Sequence, residues 1–357
     1  GSEAQNIWRM PSGPETVIVP VLFGLIFFLG LVGNSLVLVV LGRLRPGRRP
    51  SRSATNIFIL NLSIADFSFL LFCVPFQATI YSLPEWIFGA FFCKWVHYLA
   101  TATMLVSIFT LVAMSVDRYI AVVHAKRSLC IRSKRNACLG VGAIWLLSLL
   151  IAVPVAQHQA LVRGHQQAPN SSFCWELWSD NPAAKQTYKV AILVVGYLLP
   201  LVLISCCYAK VGPCNAGAVS GRCRRGANGA TAQTVLLVVA VFLISWLPHH
   251  IIVMWVEFGQ FPLNNASFTF RIISHCLAYG NSCINPIIYA FLSENFRKAC
   301  RHRIKASGGD EGGPNSARMS FEIAPKALKQ ESTLPSLQIH ENLLAKGALD
   351  CARWLGL

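Results

Sequence analysis

Charged side chains are scarce in this chain. Only 13% of its 357 residues are charged, and Asp and Glu together number 15. A soluble domain averages about 25% charged residues. Hydrophobic residues make up 54% of the sequence, and a chain this apolar would aggregate in water. The composition therefore predicts a membrane protein.

The signatures of several functional classes are also missing. The sequence has no internal repeat of the kind that transporters carry and no filter or charged ring that would indicate a channel. It has no metal-ligand spacing, nucleophile elbow or phosphate loop, so we expect neither an enzyme nor a metal site. The net charge of +16 is not read as nucleic-acid binding, because the basic residues cluster in short loops between apolar runs.

Seven apolar segments are present. Backbone groups in lipid must be hydrogen-bonded within the chain, so each segment is predicted to be a helix. The predicted fold is an all-α membrane protein with a seven-helix bundle over 17–292, after an extracellular N-terminus over 1–16. A short amphipathic eighth helix is predicted over 293–305 and a disordered cytoplasmic tail over 306–357. The predicted spans are Val17–Leu41, Ala54–Leu83, Phe92–Val123, Ala137–Ala156, Lys189–Val211, Thr231–Phe258 and Arg271–Leu292.

The distribution of Lys and Arg sets the predicted orientation. Fifteen lie at or after the ends of the first, third and fifth spans, and six lie on the opposite side. Because cytoplasmic loops carry the excess of basic residues, the N-terminus is predicted to be outside the cell and the C-terminus inside. The expected location is the plasma membrane.

Two motifs lie at the predicted cytoplasmic ends of helices. The third span ends with the triplet Asp117-Arg118-Tyr119, and the seventh carries Asn285-Pro286-Ile287-Ile288-Tyr289. Pro248 follows Trp246 by two residues in the sixth span and predicts a kink beside a bulky indole. Proline is taken to interrupt three spans, at Pro200, Pro248 and Pro286. These motifs and prolines all fall within the seven predicted spans or at their ends. Together they indicate a signalling receptor that works by movement of its helices.

A carboxylate lies in the middle of the second span. Asp66 at this depth costs about 3 kcal/mol on insertion scales, so other groups must compensate. Polar residues of the first, third and seventh spans are predicted at a similar depth. They favour a hydrated pocket for a sodium ion or a proton, and the alternative is a plain hydrogen-bond network. The candidates beside Asp66 are Asn34, Ser107, Asn281 and Asn285.

Polar and aromatic residues recur at helical spacing in the outer halves of two spans. A retinal site would need a lysine in the seventh span, and a small-amine site would need a carboxylate where the third span has Ala100. A wide, mixed pocket suits a peptide better. For any single His the alternative is an interhelical hydrogen bond. The two stripes are Trp246, His250, Val253 and Glu257, and Arg271, His275, Tyr279 and Ser282.

Two of the thirteen cysteines lie on the predicted outer side, outside the middle of a span. Cys93 opens the third span and Cys174 lies within an outer loop. That side is oxidising, so a disulfide is predicted, with two free thiols as the alternative. Asn170 begins an Asn-Ser-Ser glycosylation sequon on the same side.

The sequence also resembles a known family. The membrane portion is similar to rhodopsin-type G-protein-coupled receptors, and between Val17 and Arg303 it resembles the galanin receptors. The Asp-Arg-Tyr and Asn-Pro-Ile-Ile-Tyr motifs are shared by the superfamily, whereas the sixth-span string is more specific. The strings that carry the resemblance are Thr55–Asp66, Pro75–Thr79, Ser245–His250, Glu257–Gly259, Phe261–Leu263 and Ser293–Lys298.

This resemblance implies a receptor for the neuropeptide galanin that activates inhibitory heterotrimeric G proteins and lowers cAMP. Arg118 would contact the G protein after release from Asp117, and Tyr208 and Tyr289 would rearrange with it. The implied ligand contacts are His250, Glu257, Phe268, Arg271, His275, Phe173 and Trp175.

The sequence departs from the family pattern at Val253, at Leu99-Ala100 and in the inner loop from Gly212 to Ala230. The alternatives are therefore a spexin-, somatostatin- or opioid-like receptor, or a divergent paralogue with altered coupling.

Modification sites are predicted on the cytoplasmic side. Cys300 lies beside basic residues of the predicted eighth helix and is a palmitoylation candidate, with an unmodified thiol as the alternative. Kinases and arrestin are the predicted partners of the tail. The candidate phosphorylation sites are Ser316, Ser320, Ser332 and Thr333.

Overall fold

The structure is a computed structural model. It describes residues 15–42, 54–83, 85–124, 128–165, 168–178, 181–215, 228–262, 264–292, 296–297 and 300–301.

Seven helical passages form the bundle. Six of them are long and apolar enough to cross a membrane, within the ranges that the structure describes. The seventh has the same membrane-crossing length but a more polar inner face, which carries Ser274, Asn281, Ser282 and Asn285. The passages are Glu15–Gly42, Ala54–Phe72 with Val74–Ser82, Gly89–Val123, Lys134–His158, Pro182–Asn215, Asn228–Phe258 and Asn265–Leu292. These are called the first to seventh spans below.

Two spans differ in shape from the prediction. The second was expected as one helix over Ala54–Leu83, but it is broken at Cys73 because Pro75 falls in the first turn of a new helix. The fifth begins at Pro182 rather than Lys189, since the Asn181 side chain accepts a hydrogen bond from the Ala184 amide and caps it. It also contains one π-helical turn, Val194–Leu198, immediately before Pro200.

The three prolines expected inside spans are found there, but the number three was too low. Pro248 and Pro286 lie inside the sixth and seventh helices as expected. Pro20 and Pro154 also lie inside the first and fourth helices. Membrane helices accommodate proline because neighbouring groups satisfy the backbone carbonyl it frees.

The third span lies at the centre of the bundle. It packs against the second, fourth, fifth and sixth spans. Four of its large apolar side chains, Leu105, Ile108, Leu111 and Met114, are at most 1% exposed. The third span also makes a polar contact with the second, because Asn61 Nδ2 donates to the Thr110 hydroxyl at 2.7 Å. The side-chain oxygen of Asn61 accepts a hydrogen bond from the Trp145 indole of the fourth span at 2.8 Å. This network ties the second, third and fourth spans together and explains why Asn61 is tolerated in lipid.

A β-hairpin covers the outer end of the bundle. Strand β1, Gln159–His165, pairs antiparallel with strand β2, Ala168–Glu176. Cys174 of β2 forms the predicted disulfide with Cys93 at the start of the third span, with the two Cα atoms 5.5 Å apart. The Trp86 amide also donates to the Ser172 carbonyl at 2.7 Å. These contacts fix the hairpin over the mouth of the bundle.

Several predicted regions lie outside the described residues. These are the N-terminus over 1–14, most of the inner loop between the fifth and sixth spans, and the tail from 302 onward. Of the predicted eighth helix, residues 296–297 and 300–301 are described, all in helical conformation. Phe296 is 4% exposed and belongs to the apolar core, against which Cys300 packs.

Candidate functional site

The predicted cytoplasmic end of the bundle contains a buried charge cluster. Asp117 and Arg118 form an ion pair, and each side chain is only 4% exposed. The Thr55 hydroxyl donates to the Asp117 carboxylate at 2.8 Å and accepts a hydrogen bond from Arg118. Arg132, after the short helix Ser128–Ile131, donates its Nε to the same carboxylate at 2.6 Å. Sequence reasoning identified Asp117 and Arg118 but missed Thr55 and Arg132.

The tyrosines predicted to take part in activation lie at different depths. Tyr208 donates its hydroxyl to the Ala232 carbonyl at 3.2 Å and so bridges the fifth and sixth spans. Tyr289 is 1% exposed, and its hydroxyl has no hydrogen-bond partner within the described ranges. Tyr119 lies nearer the surface, where its hydroxyl is 3.1 Å from His124 Nε2. The hydroxyl groups of these tyrosines therefore share no hydrogen-bond partner among the described residues in this conformation.

Asp66 is held by two side chains of the seventh span. Ser282 Oγ donates to one carboxylate oxygen at 2.9 Å, and Asn285 Nδ2 donates to the other at 2.7 Å. Asn34 of the first span donates to the Ser282 carbonyl at 2.9 Å. The predicted link between Asp66 and Asn285 is therefore direct, while Asn34 acts through Ser282, a residue that sequence reasoning placed only on the outer stripe.

A cavity adjoins the Asp66 carboxylate. Ser107 and Asn281, both predicted at this depth, line it together with Trp246 of the sixth span. The side-chain oxygens of Asn34, Asn281 and Asn285 have no hydrogen-bond partner among the residues described. Carboxylate, amide and hydroxyl oxygens are the ligands that hard cations prefer. Asp66, Asn281 and Ser107 supply these three kinds of oxygen around the cavity, whereas Asn34 and Asn285 do not line it.

Trp246 lines the cavity beside Asp66 from the sixth span. It is 8% exposed, packs on Phe242 at a centroid distance of 5.8 Å, and its indole nitrogen has no partner in the described part of the chain. Pro248 follows it inside the same helix and removes one backbone donor. The predicted pair of bulky indole and helix kink therefore lies at the cavity beside Asp66.

A cluster of histidines lies above Trp246. His250 is 4% exposed and packs on the Tyr197 ring at 5.0 Å, and its Nε2 has no partner among the described groups. His249 lies between Trp246, at 5.5 Å, and His275, at 5.9 Å. Sequence reasoning missed His249 as a site residue, because its position does not belong to the series of helical spacings that defined the stripe with Trp246 and His250.

The other predicted ligand contacts lie in the seventh span and in the hairpin. Arg271 is exposed, and Phe268 is 42% exposed in the outermost turns of the seventh span. In the hairpin, Phe173 is half-buried opposite Val162, and Trp175 is 42% exposed. The predicted ligand contacts therefore come from the hairpin and from the sixth and seventh spans.

Two ion pairs join the start of the fifth span to its neighbours. Lys185 pairs with Glu257 at 2.7 Å, and Lys189 pairs with Glu176 of the hairpin at 2.9 Å. Burial raises the pKa of Glu176, but Lys189 and the Trp178 indole lower it more, so this pKa lies below its ordinary value. Lys185 and Lys189 had been assigned only to the outer side of the membrane.

Comparison with known proteins defines the class. The seven-transmembrane receptor model of the rhodopsin family matches residues 33–289. This chain therefore belongs to that family, so it is a multi-pass receptor of the plasma membrane and not an enzyme, as the two motifs and seven spans predicted.

The individual relatives narrow the class. Galanin receptor type 1 of Homo sapiens is 57% identical over 316 residues, covering 85% of this chain and 89% of the relative. The Mus musculus type 1 receptor is 58% identical over 301 residues, covering 84% and 85%. Galanin receptor type 3 of Homo sapiens is 43% identical over 353 residues, covering 90% and 93%. Within the rhodopsin family the chain thus groups with the galanin receptors, which confirms the resemblance seen in the sequence.

Proposed function

We propose that this chain is a receptor for galanin, with its N-terminus outside the cell, that signals through inhibitory heterotrimeric G proteins and lowers cAMP. The observation that carries the proposal is the 57% identity to a galanin receptor over 316 residues, or 85% of this chain. The outer pocket supports it, because it is mixed in polarity and has Ala100 where an amine receptor would need a carboxylate.

The peptide would bind in the pocket between the hairpin and the outer ends of the sixth and seventh spans. His250 offers an unpartnered ring nitrogen at the base of this pocket. A ligand that supplies a hydrogen bond there removes the cost of leaving a buried polar atom unsatisfied, about 1–3 kcal/mol. Phe268, Trp175 and Phe173 would provide apolar contacts around the rim, with Arg271 and His275 adding polar ones.

Activation would begin at Trp246. A ligand in contact with His250 and the Trp246 indole would favour a sixth span that is bent further at Pro248. The cytoplasmic end of that span would then move outward. Arg118 would then leave Asp117 and contact the G protein, while Tyr208 gives up the Ala232 carbonyl and moves toward Tyr289. Agonist needs only to bind the open arrangement better than the closed one for this shift to occur.

A sodium ion beside Asp66 would oppose this change. Asp66, Ser107 and Asn281 would hold the ion, with Asn34, Ser282 and Asn285 positioning the carboxylate and its surroundings. An ion that binds the closed bundle better than the open one lowers agonist affinity by the same coupling free energy. The alternative role for Asp66 is the uptake of a proton during activation.

Modifications would complete the receptor. Asn170 lies in β2 on the outer side, which suits a glycan, and Cys300 on the inner side suits a palmitoyl group that anchors the chain to lipid. Kinases would phosphorylate the tail residues Ser316, Ser320, Ser332 and Thr333, and arrestin would bind the product.

The direct test is inhibition of forskolin-stimulated cAMP by galanin in cells that express this chain, with and without pertussis toxin. A nanomolar response that the toxin abolishes supports both the ligand and the inhibitory coupling. Silence at normal surface expression would overturn the proposal. Spexin, somatostatin and an opioid peptide, applied in parallel, test the alternative ligands.

A second test separates ligand contact from folding. His250→Ala should raise the galanin concentration for half-maximal response about tenfold or more, with normal surface expression. Ile251→Ala is the matched control, because this neighbour is 46% exposed toward lipid. Loss of surface expression in the His250 variant alone would make that residue structural instead.

A further inference from the structure

The sixth span is tied to the fifth at its outer end by two adjacent side chains. Lys185 Nζ is 2.7 Å from Glu257 Oε1. The next residue, Gln186, donates its amide to the Glu257 main-chain carbonyl at 3.0 Å. Glu257 lies in the last turn of the sixth span, which ends at Phe258, on the predicted stripe with Trp246 and His250. The only acidic residue of that stripe therefore already has a cationic partner from the chain itself.

The neighbouring acid has a lysine of its own. Glu176 accepts from Lys189 at 2.9 Å through one oxygen and from the Trp178 indole at 2.7 Å through the other. Lys185 and Lys189 are one helical turn apart, so each lysine meets a different carboxylate. Glu176 thus has hydrogen bonds to both of its carboxylate oxygens, whereas Glu257 has one cationic partner, Lys185, among the described residues.

The two members of this pair differ in burial. The Lys185 side chain is 30% exposed, whereas that of Glu257 is 10% exposed. If Lys185 is displaced, its ammonium can enter water from a position that is already partly solvated. If instead an anionic ligand drew Lys185 away, a largely buried carboxylate would lose the one salt-bridge partner that the described residues provide, at a high desolvation cost. The site therefore favours exchange of one cation for another.

We propose that Lys185 is a built-in cationic occupant of Glu257 that a basic group of the ligand replaces on binding. This inference rests on the proposed function, because it requires a peptide in the outer pocket. Lys185 is then a specificity-determining residue. It keeps Glu257 neutralised in the unliganded receptor, and ligands without an ammonium or guanidinium group at this position gain nothing from Glu257.

The size of the effect follows from the partial exposure of the pair. Partly exposed ion pairs contribute modestly, because water screens the charges and both long side chains lose conformational freedom. Removing the competing lysine should therefore improve galanin potency about two- to fivefold. Removing the carboxylate should reduce potency, since the ligand's basic group then loses its partner.

The experiment measures galanin potency for Lys185→Gln, Glu257→Gln and the double variant, each at matched surface expression. We expect higher potency for the Lys185 variant, lower potency for the Glu257 variant, and no further change when Lys185→Gln is added to Glu257→Gln. Lys189→Gln is the control, because this lysine pairs with Glu176 and should show no gain in potency.

Other patterns overturn the proposal. If both single variants gain potency, the pair only restrains the sixth span. If Lys185→Gln loses potency, Lys185 itself contacts the ligand, and if its potency is unchanged, no competition exists. Silence of the unmodified chain toward galanin overturns the proposed function and this inference together, whereas a response with one of these patterns overturns this inference alone.

Discussion

Arg132 and Asp117 form a bidentate contact at the predicted cytoplasmic end of the bundle. Arg132 donates from Nε at 2.6 Å and from Nη2 at 3.1 Å to the two carboxylate oxygens. Arg118 pairs with the same carboxylate. One negative charge is therefore shared by two guanidinium groups, which also repel each other. The strength with which Asp117 retains Arg118 depends on this second arginine.

Arg132→Gln should lower signalling in the absence of agonist. Arg132 and Arg118 compete for the Asp117 carboxylate. When Arg132 is removed, Asp117 pairs with Arg118 alone, so the free energy needed to release Arg118 rises. We expect basal cAMP inhibition to fall about two- to fivefold, in line with a partly exposed pair. Arg135→Gln is the control, since Arg135 is exposed and forms no salt bridge among the described residues. Raised basal signalling in the Arg132 variant would show that Arg132 restrains the inactive state.

Asp66→Asn should remove any effect of sodium on agonist binding. The neutral amide retains the hydrogen bond from Ser282 but cannot attract a cation. For the unmodified receptor, we expect 150 mM NaCl in place of choline chloride to weaken galanin binding by about fivefold or more. Radioligand competition in the two salts measures this. A sodium effect that persists in the variant would place the ion elsewhere.

Loss of the Cys93–Cys174 disulfide should destabilise the receptor. The bridge closes a separation of 81 residues, and the chain-entropy estimate for such a loop is about 4–5 kcal/mol. The double variant with Ser at both positions should melt at a lower temperature in detergent and lose galanin binding, because Cys174 also holds the hairpin over the pocket. Cys138→Ser is the control, as Cys138 is a free, exposed thiol. Normal binding in the double variant would contradict this.

The Glu176–Lys189 pair should stabilise the receptor only above acidic pH. Because the pKa of Glu176 is lowered in the folded chain, its contribution is complete above the unfolded value of about 4.3 and is lost as pH falls through the lower folded value. Melting temperatures of the unmodified chain and of Glu176→Gln should thus differ by a constant amount from about pH 7 to pH 5 and converge below about pH 4. Convergence between pH 7 and 6 would contradict the assignment.

Much of the site could be predicted from the sequence because its signals are local. The Asp66 carboxylate is conspicuous within an apolar run, and the pairing of Cys93 with Cys174 followed from their common side of the membrane. The stripe of Trp246, His250 and Glu257 followed from helical spacing. Helix ends were less predictable: the fifth span starts at Pro182 because of a cap from Asn181, and the second breaks at Cys73 because Pro75 begins a new helix.

The sequence by itself determined the seven spans, the membrane as solvent and the placement of polar groups inside the bundle. Length and hydropathy settle these, because lipid admits only helices whose backbone groups are satisfied internally. Only the tertiary structure decided which charged groups share a partner: Arg132 and Arg118 on Asp117, Lys185 on Glu257, and Ser282 on Asp66. Those pairings depend on how helices distant in sequence are rotated and packed, which no spacing within a single helix records.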